Sequence, residues 1–254
     1  MPSSTRALCL GAAALALAAC QSDTDQRFPV TSRTDQVATE APPARAMEKR
    51  NTALVRFIHA VPEVAAVDLY GNSMLILTTV TYKTITPFQE VQHDSIEFRI
   101  RPSGQHMAEP LAVESEGIAR GEHYTVAAFP QGQAAKADLR VFEDDLSPPP
   151  AGKAKLRVIN GAADLSEIDV SLSGGEKPLF TGINFKSASR YGDVNPVTGS
   201  VKIHREGEKT PVLDVPFVHL EAGKIYTLVI VGRAVGTPRL EALTVEDRLG
   251  DDGR

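Results

Sequence analysis

The chain has 254 residues, 42% of them hydrophobic, and a formal net charge of −5 at pH 7. This length allows one large domain or two small ones behind an export signal. Because no basic stripe runs along the sequence, its charge pattern argues against nucleic-acid binding. Of its two cysteines, Cys9 lies within the apolar run of residues 7–19 and Cys20 directly follows it. Removal of that run on export would leave one cysteine, which excludes a disulfide and a cysteine-based metal site in the mature chain.

The first nineteen residues have the layout of a secretory signal peptide. Arg6 supplies a positive charge, and residues 7–19 are small or apolar and uncharged. As a helix, this apolar run spans roughly 20 Å at about 1.5 Å per residue. A hydrocarbon core is about 30 Å thick, so we predict an exported protein and not a permanent transmembrane helix.

The signal ends in a short motif, Leu17-Ala18-Ala19-Cys20, which resembles the lipobox of bacterial lipoproteins. The resemblance implies cleavage after Ala19 and acylation of Cys20, with palmitate-like chains that insert into membrane lipid. Gln21 follows, and the enteric sorting rule then implies the outer membrane, with the periplasmic or the surface side left open. The alternative is an ordinary signal peptide in which Cys20 is incidental.

Residues 20–52 contain the lipidated cysteine and a polar segment rich in Ser, Thr, Asp, Gln, Pro and Arg. Such a segment cannot bury enough apolar surface to offset its ordering entropy. We predict a flexible tether that spans on the order of 30 Å.

The rest of the chain repeats itself. Residues 54–59 (LVRFIH) recur as residues 155–160 (KLRVIN), and residues 82–88 (YKTITPF) recur as residues 185–191 (FKSASRY). Repetition in the same order indicates two copies of one domain. The predicted limits are repeat 1 at 53–146, a Pro-rich linker at 147–153, repeat 2 at 154–247 and an acidic disordered tail at 248–254. We expect the two copies to be separate folding units.

Apolar residues alternate with polar ones in short runs, as in Ile96, Phe98 and Ile100, which flank Glu97 and Arg99. This period of two, broken by Gly and Pro, is typical of antiparallel strands with one wet face. About seven such runs occur in each copy, at the spacing of a sandwich. The predicted fold class is all-β: two tandem Greek-key, immunoglobulin-like β-sandwich domains.

One motif occurs at equivalent places in both copies, as an apolar residue, then Gly121 or Gly223, then Tyr124 or Tyr226. This spacing predicts a tyrosine corner, in which the glycine allows a tight bend and the tyrosine hydroxyl bonds to the backbone of the arch. The alternative is a plain strand with a tyrosine after a glycine turn.

Residues 55–70 (VRFIHAVPEVAAVDLY) resemble the opening of the repeat of domain-of-unknown-function family 4397. The resemblance covers about residues 53–247 and is stronger in the first copy. It implies an exported bacterial protein with tandem domains and no established activity. The second copy departs at residues 160–163 (NGAA), where the histidine and the proline are absent.

The most suggestive side chain for chemistry is His59, which is followed by Glu63 and Asp68. His59 and Glu63 are candidates for a ligand-binding or acid–base pair. In the alternative that we favour, His59 hydrogen-bonds a turn, while Asp68 and its repeat partner Asp169 fix the start of a strand.

The candidate metal ligands are scattered along the sequence. The six histidines form no close ligand pair, and Asp144, Asp145 and Asp247 offer oxygen ligands for calcium between the domains without a regular ligand loop. We therefore predict no metal, no cofactor and no catalytic residue.

Two functions remain. The first is a non-enzymatic binding or structural module of the cell envelope that contacts an envelope protein, a polysaccharide or a small ligand. The second is a hydrolase or metal-dependent enzyme with a site in the interdomain cleft, which requires titratable side chains of both domains in one pocket.

Overall fold

The computed structural model describes residues 51–92, 94–132, 135–172 and 177–248. All of their regular structure is β-strand. No helix long and apolar enough to cross a membrane occurs in these ranges. The predicted signal peptide, Cys20, most of the predicted tether and residues 249–254 lie outside the described residues.

Repeat 1 contains eight strands: β1 (Ala53–His59), β2 (Ala66–Gly71), β3 (Met74–Thr81), β4 (Gln89–Val91), β5 (Asp94–Pro102), β6 (Ala112–Ile118), β7 (His123–Pro130) and β8 (Ala137–Glu143). Repeat 2 contains nine: β9 (Ala154–Asn160), β10 (Glu167–Leu172), β11 (Phe180–Asn184), β12 (Ser187–Ala188), β13 (Gly192–Val194), β14 (Val197–Arg205), β15 (Pro211–Leu220), β16 (Ile225–Val231) and β17 (Glu241–Glu246).

Each repeat consists of two sheets. The inner sheet of repeat 1 has the order β4-β1-β7-β8 and its outer sheet has the order β3-β2-β5-β6. The inner sheet of repeat 2 has the order β12-β9-β16-β17, with β13 also paired to β9, and its outer sheet has the order β11-β10-β14-β15. The predicted all-β sandwich class is confirmed, while its Greek-key and immunoglobulin-like detail stays a prediction.

The outer sheets show the predicted alternation. Ile96, Phe98 and Ile100 of β5 are buried in the core of repeat 1, and Glu97 and Arg99 are partly exposed between them. One face of this sheet therefore packs inward and the other meets water, as an antiparallel sheet permits.

The inner sheets depart from the prediction in two ways. The central strands run parallel, with β1 beside β7 and β9 beside β16. All seven residues of β1 and all seven of β9 are buried, so neither strand has a wet face. Parallel strands are typically covered on both sides, and here the second cover is the other repeat.

The hydrophobic clusters show how the sheets are layered. One cluster fills the space between the two sheets of repeat 1, and another fills repeat 2. A third joins the inner sheets of both repeats through Ile58, Phe129, Ile159, Val229 and Val231. The four sheets therefore form a stack in which the two inner sheets face each other. The separate folding of the two repeats stays a prediction.

Candidate functional site

The contact between the inner sheets contains a buried polar network. Its charged members are Arg56 of β1, Arg157 of β9, and the aspartates that follow the last strand of each repeat, Asp144 and Asp247. Each arginine lies in the middle of an apolar strand, on the face turned away from the core of its own repeat. Their side chains are at most 2% exposed.

Arg56 contacts the carboxylates of both repeats. Its Nη1 donates to Asp247 Oδ1 at 2.5 Å, and its Nη2 lies 3.4 Å from Asp144 Oδ2. Its Nε donates to the hydroxyl of Thr125 at 2.8 Å. Burial alone would lower the pKa of Arg56, but Asp144 and Asp247 outweigh it and raise the pKa above its ordinary value. Arg56 therefore remains a cation inside the protein.

Arg157 makes the complementary contacts. Its Nη2 lies 2.8 Å from Asp144 Oδ1, which places the arginine of repeat 2 on the aspartate of repeat 1. The same nitrogen donates to Thr125 at 3.3 Å and to Thr227 at 3.4 Å. Two arginines thus share two aspartates, and the four side chains balance their charges locally.

The two threonines fix the carboxylates. Thr125 Oγ1 lies 2.6 Å from Asp144 Oδ2, and Thr227 Oγ1 donates to Asp247 Oδ2 at 2.6 Å. Each threonine stands beside the arginine of its own repeat on the neighbouring parallel strand. The hydroxyls accept from the arginines and donate to the aspartates, which satisfies groups that would otherwise be costly to bury.

An aromatic ring covers each arginine. The guanidinium carbon of Arg56 is 5.0 Å from the centre of the Phe88 ring, and that of Arg157 is 4.6 Å from the centre of the Tyr191 ring. The Tyr191 hydroxyl also donates to Asp247 at 2.9 Å. Burial, together with the nearby aspartates, raises the pKa of Tyr191 despite the opposing effect of Arg157. The phenol therefore stays protonated and acts as a donor.

Ion pairs border the network on the surface. Lys83 donates to Glu241 at 2.7 Å, and Lys186 pairs with Asp138. Each pair again joins the two repeats. In the described part of the chain, the four charged side chains of the network are at most 2% exposed and lie against one another.

His59 lies in the interior of repeat 1 with no exposed surface. Its Nδ1 accepts from the backbone N–H of Val61 at 3.3 Å. Asn160 occupies the same place in repeat 2, where its Oδ1 accepts from the N–H of Ala162 at 3.1 Å. Burial lowers the pKa of His59 to about 4, against a smaller raising effect of a hydrogen bond with the backbone of Val64. His59 is therefore neutral near pH 7, and its ring accepts a hydrogen bond from the backbone of the turn that follows β1.

Glu63 does not join His59 in a pocket. Its carboxylate accepts from Arg233 of repeat 2 at 2.5 Å, so it is part of the border between the repeats. It also lines a shallow surface depression of about 380 Å³, together with Ser103 and Leu111. A second depression of about 440 Å³ lies beside Thr198 and His219.

Asp68 and Asp169 hold strands of the outer sheets together. Asp68 accepts from the N–H of Thr79 at 2.8 Å and from the N–H of Gly104 at 2.9 Å. Burial alone would raise the pKa of Asp68, but these bonds and one from Ser103 lower it. Asp169 accepts from the N–H of Gly182 at 3.0 Å.

Each of the two tyrosines closes an arch by bonding to the backbone five positions earlier in the sequence. The hydroxyl of Tyr124 accepts from the N–H of Ala119 at 3.1 Å, and that of Tyr226 accepts from the N–H of Glu221 at 3.1 Å. Gly121 and Gly223 have φ values of 78° and 81°, in the left-handed region that glycine tolerates best.

The structure gives the candidate calcium ligands other partners. Asp144 and Asp247 neutralise arginines, and Asp145 accepts from Ser147 and Lys155. Across the described ranges, no group of three or more His, Cys, Asp or Glu side chains is placed to hold a metal ion.

The sequence contained a signal for the buried network that the prediction missed. The two arginines and the two aspartates recur at equivalent positions of the two repeats, and Arg56 and Arg157 each interrupt an apolar run in a strand. A charge at the centre of such a strand, present in both copies, indicates a buried partner.

Residues 53–171 match the family model described as Domain of unknown function (DUF4397), which supports the family resemblance. The match spans the strands of repeat 1 and continues into the first two strands of repeat 2. No protein of curated function matches the chain.

Similar solved structures include the C-terminal domain of AlgF from P. aeruginosa (23% identity, 38% of this chain, 99% of that chain, TM-score 0.30). They also include a family CBM26 module of Amy13K from Eubacterium rectale in complex with maltoheptaose (10% identity, 79% of this chain, 99% of that chain, TM-score 0.24). A third is the Bacillus anthracis TIE protein (10% identity, 77% of this chain, 44% of that chain, TM-score 0.24). None of these likenesses identifies a ligand of this protein.

Proposed function

We infer that this protein is an exported lipoprotein of the bacterial cell envelope, anchored at Cys20, whose tandem repeats act together as a non-enzymatic binding or structural module. The observation that carries this proposal is the filled contact between the repeats. An enzyme site in that place would need an open pocket with titratable side chains. The side chains of Arg56, Arg157, Asp144 and Asp247 are instead buried and pair their charges with one another, with Arg157 Nε the one network atom without a hydrogen-bond partner among the described residues.

Mutual charge pairing supports a rigid module. Opening a hinge between the repeats would separate these pairs and expose to water the apolar cluster that joins the inner sheets, which costs about 25 cal/mol per Å² of apolar area. A rigid pair of sandwiches presents its loops and outer sheets at fixed separations, which suits contact with a large partner such as a polysaccharide or an envelope protein. The partner belongs to the outward surfaces, since the inner ones are occupied.

The anchor is tested by metabolic labelling with a clickable fatty acid. The wild-type protein should carry the label and sediment with membranes, because each buried methylene adds about 0.8 kcal/mol and two or three acyl chains bind firmly. A Cys20→Ser variant should lose both. Equal labelling of the variant would refute the anchor.

The binding role is tested with the soluble Cys20→Ser protein and isolated envelopes. The protein should sediment with envelopes above the background of a soluble protein of equal charge. Loss of sedimentation after protease treatment of the envelopes would indicate a protein partner, and retention would indicate a polysaccharide. Sedimentation at background under both conditions would contradict the binding role.

A further inference from the structure

The contact between the repeats is built from matched pairs whose roles are exchanged. Arg56 of repeat 1 binds Asp247 of repeat 2 at 2.5 Å, and Arg157 of repeat 2 binds Asp144 of repeat 1 at 2.8 Å. In the border, Lys83 of repeat 1 binds Glu241 of repeat 2, and Lys186 of repeat 2 binds Asp138 of repeat 1.

The apolar part of the contact follows the same rule. Ile58 and Ile159 occupy equivalent positions of β1 and β9, and both belong to the cluster that joins the inner sheets. Phe129 of β7 and Val231 of β16 are a second such pair. Each repeat therefore presents one face that carries both halves of these contacts, which is the property of a two-fold, self-complementary interface. The Glu63–Arg233 pair is an unmatched addition at the border.

The inner-sheet face of repeat 1 can therefore bind the inner-sheet face of repeat 2 in the same chain or in a second copy of the chain. None of the contacts in these pairs depends on whether the two repeats are covalently joined. We propose that the inner-sheet face is a self-recognition surface through which two copies of this protein exchange repeats, so that repeat 1 of each copy packs on repeat 2 of the other. The exchanged dimer contains two copies of the interface that the monomer contains once.

The linker decides between the two forms. Its prolines, Pro148, Pro149 and Pro150, form a stiff spacer of roughly 9 Å at about 3.1 Å per residue. Ser147 and Asp145 also hold Lys155 at the start of repeat 2 by hydrogen bonds of 2.7 and 3.1 Å. A linker that spans the distance from the end of repeat 1 to the start of repeat 2 gives the two repeats of a monomer a high effective concentration for each other. A linker too short to span that distance prevents the two repeats of one chain from pairing.

The first test shortens the linker in the Cys20→Ser protein by deleting residues 148–150. The shortened protein should have twice the monomer mass in light scattering. A matched control with three Gly/Ser residues inserted at the same place should keep the monomer mass. A shortened protein that stays monomeric, or that forms only polydisperse aggregates, would overturn the proposal.

The second test uses charge complementarity between two variants. The repeat-1 variant carries Arg56→Asp with Asp144→Arg, and the repeat-2 variant carries Arg157→Asp with Asp247→Arg. Within a monomer of either variant, like charges then meet across the interface. In a mixed dimer with exchanged repeats, the reversed repeat 1 of one variant meets the reversed repeat 2 of the other, and the two unchanged repeats meet each other.

An equimolar mixture refolded together should therefore form a 1:1 dimer with a higher Tm than either variant by itself. A protein with all four substitutions should fold as a monomer and shows that the reversed network is viable. If the four-substitution protein folds but the Tm of the mixture does not exceed the Tm of either variant alone, the proposal is overturned. If the four-substitution protein does not fold, the linker deletion decides.

Discussion

Arg56 and Asp247 form a salt bridge of 2.5 Å across the two repeats although 191 positions separate them in the sequence. Both side chains are almost fully buried, with 2% and 0% exposure. The pair therefore connects the first strand of repeat 1 to the last described residues of repeat 2. The fold of each half and its contact with the other half are energetically coupled through this pair.

Removal of one partner should be costly. Arg56→Ala leaves Asp247 buried without its arginine, and breaking a buried pair in this way costs about 3–5 kcal/mol. We expect the free energy of unfolding in urea to fall by that amount. Arg99→Ala is the matched control, because Arg99 pairs with Glu97 on the surface, where such pairs contribute about 0–1 kcal/mol. Equal losses in the two variants would show that burial of the network does not matter.

The sequence predicted what depends on local pattern. Alternation placed Ile96, Phe98 and Ile100 on the buried face of a strand, since period two is a property of the strand alone. It did not predict that β1 is buried on both faces, because the second cover comes from residues about a hundred positions away. The sequence analysis assigned no role to Arg56, and only the tertiary contact reveals its partners.

The site residues show the same difference between local contacts, which the sequence predicted, and long-range contacts, which it did not. The spacing from Gly121 to Tyr124 selected tyrosines whose hydroxyls lie on the backbone of their own arch, which is a local relationship. Glu63 was grouped with His59 by closeness in sequence, yet its partner is Arg233, 170 positions away. Closeness in sequence does not identify partners across an interface.

His59 should make stability depend on pH. Its pKa is about 4 in the folded protein and about 6.5 when unfolded, so the unfolded state binds more protons between these values. The stability contribution is complete above about pH 6.5 and is lost as pH falls toward 4, by roughly 3 kcal/mol in total. His59→Asn, which copies Asn160, should remove this slope in urea unfolding measured from pH 4 to 7. The surface variant His106→Asn serves as the control, and an unchanged slope in His59→Asn would contradict the assignment.

Tyr124→Phe and Tyr226→Phe should each lower the free energy of unfolding by about 0.5–1.5 kcal/mol, because each removes one hydrogen bond and leaves a backbone N–H without its acceptor. Tyr82→Phe is the control. The Tyr82 hydroxyl is buried and has no hydrogen-bond partner in the described part of the protein, so its removal should be neutral or stabilising. If Tyr124→Phe and Tyr226→Phe unfold at the same urea midpoint as Tyr82→Phe, the hydrogen bonds of the tyrosine hydroxyls do not stabilise the protein.

Phe217 combines two features that do not stabilise the folded protein. Its side chain is 88% exposed, and its φ of 59° lies in the left-handed region, which costs an L-residue roughly 1–2 kcal/mol. It lies on β15, an edge strand of the outer sheet of repeat 2, where the pairing with β14 shifts register between Gly199 and Val201. Strained residues that persist in this way are concentrated at functional sites, and we expect Phe217 to contact the envelope partner.

Phe217→Gly separates the two effects. Both this variant and its control are made in the Cys20→Ser protein, so that the acyl anchor does not contribute to sedimentation. Glycine adopts positive φ freely, so Phe217→Gly should unfold at a higher urea midpoint, with a gain of about 1 kcal/mol, while its sedimentation with envelopes falls. Val113→Gly is the matched control. Val113 is also exposed and lies on β6, an edge strand of the other outer sheet, and glycine there should cost about 0.5–1 kcal/mol without a change in sedimentation. If Phe217→Gly is stabilised and still sediments like the unsubstituted protein, the partner binds elsewhere on the module.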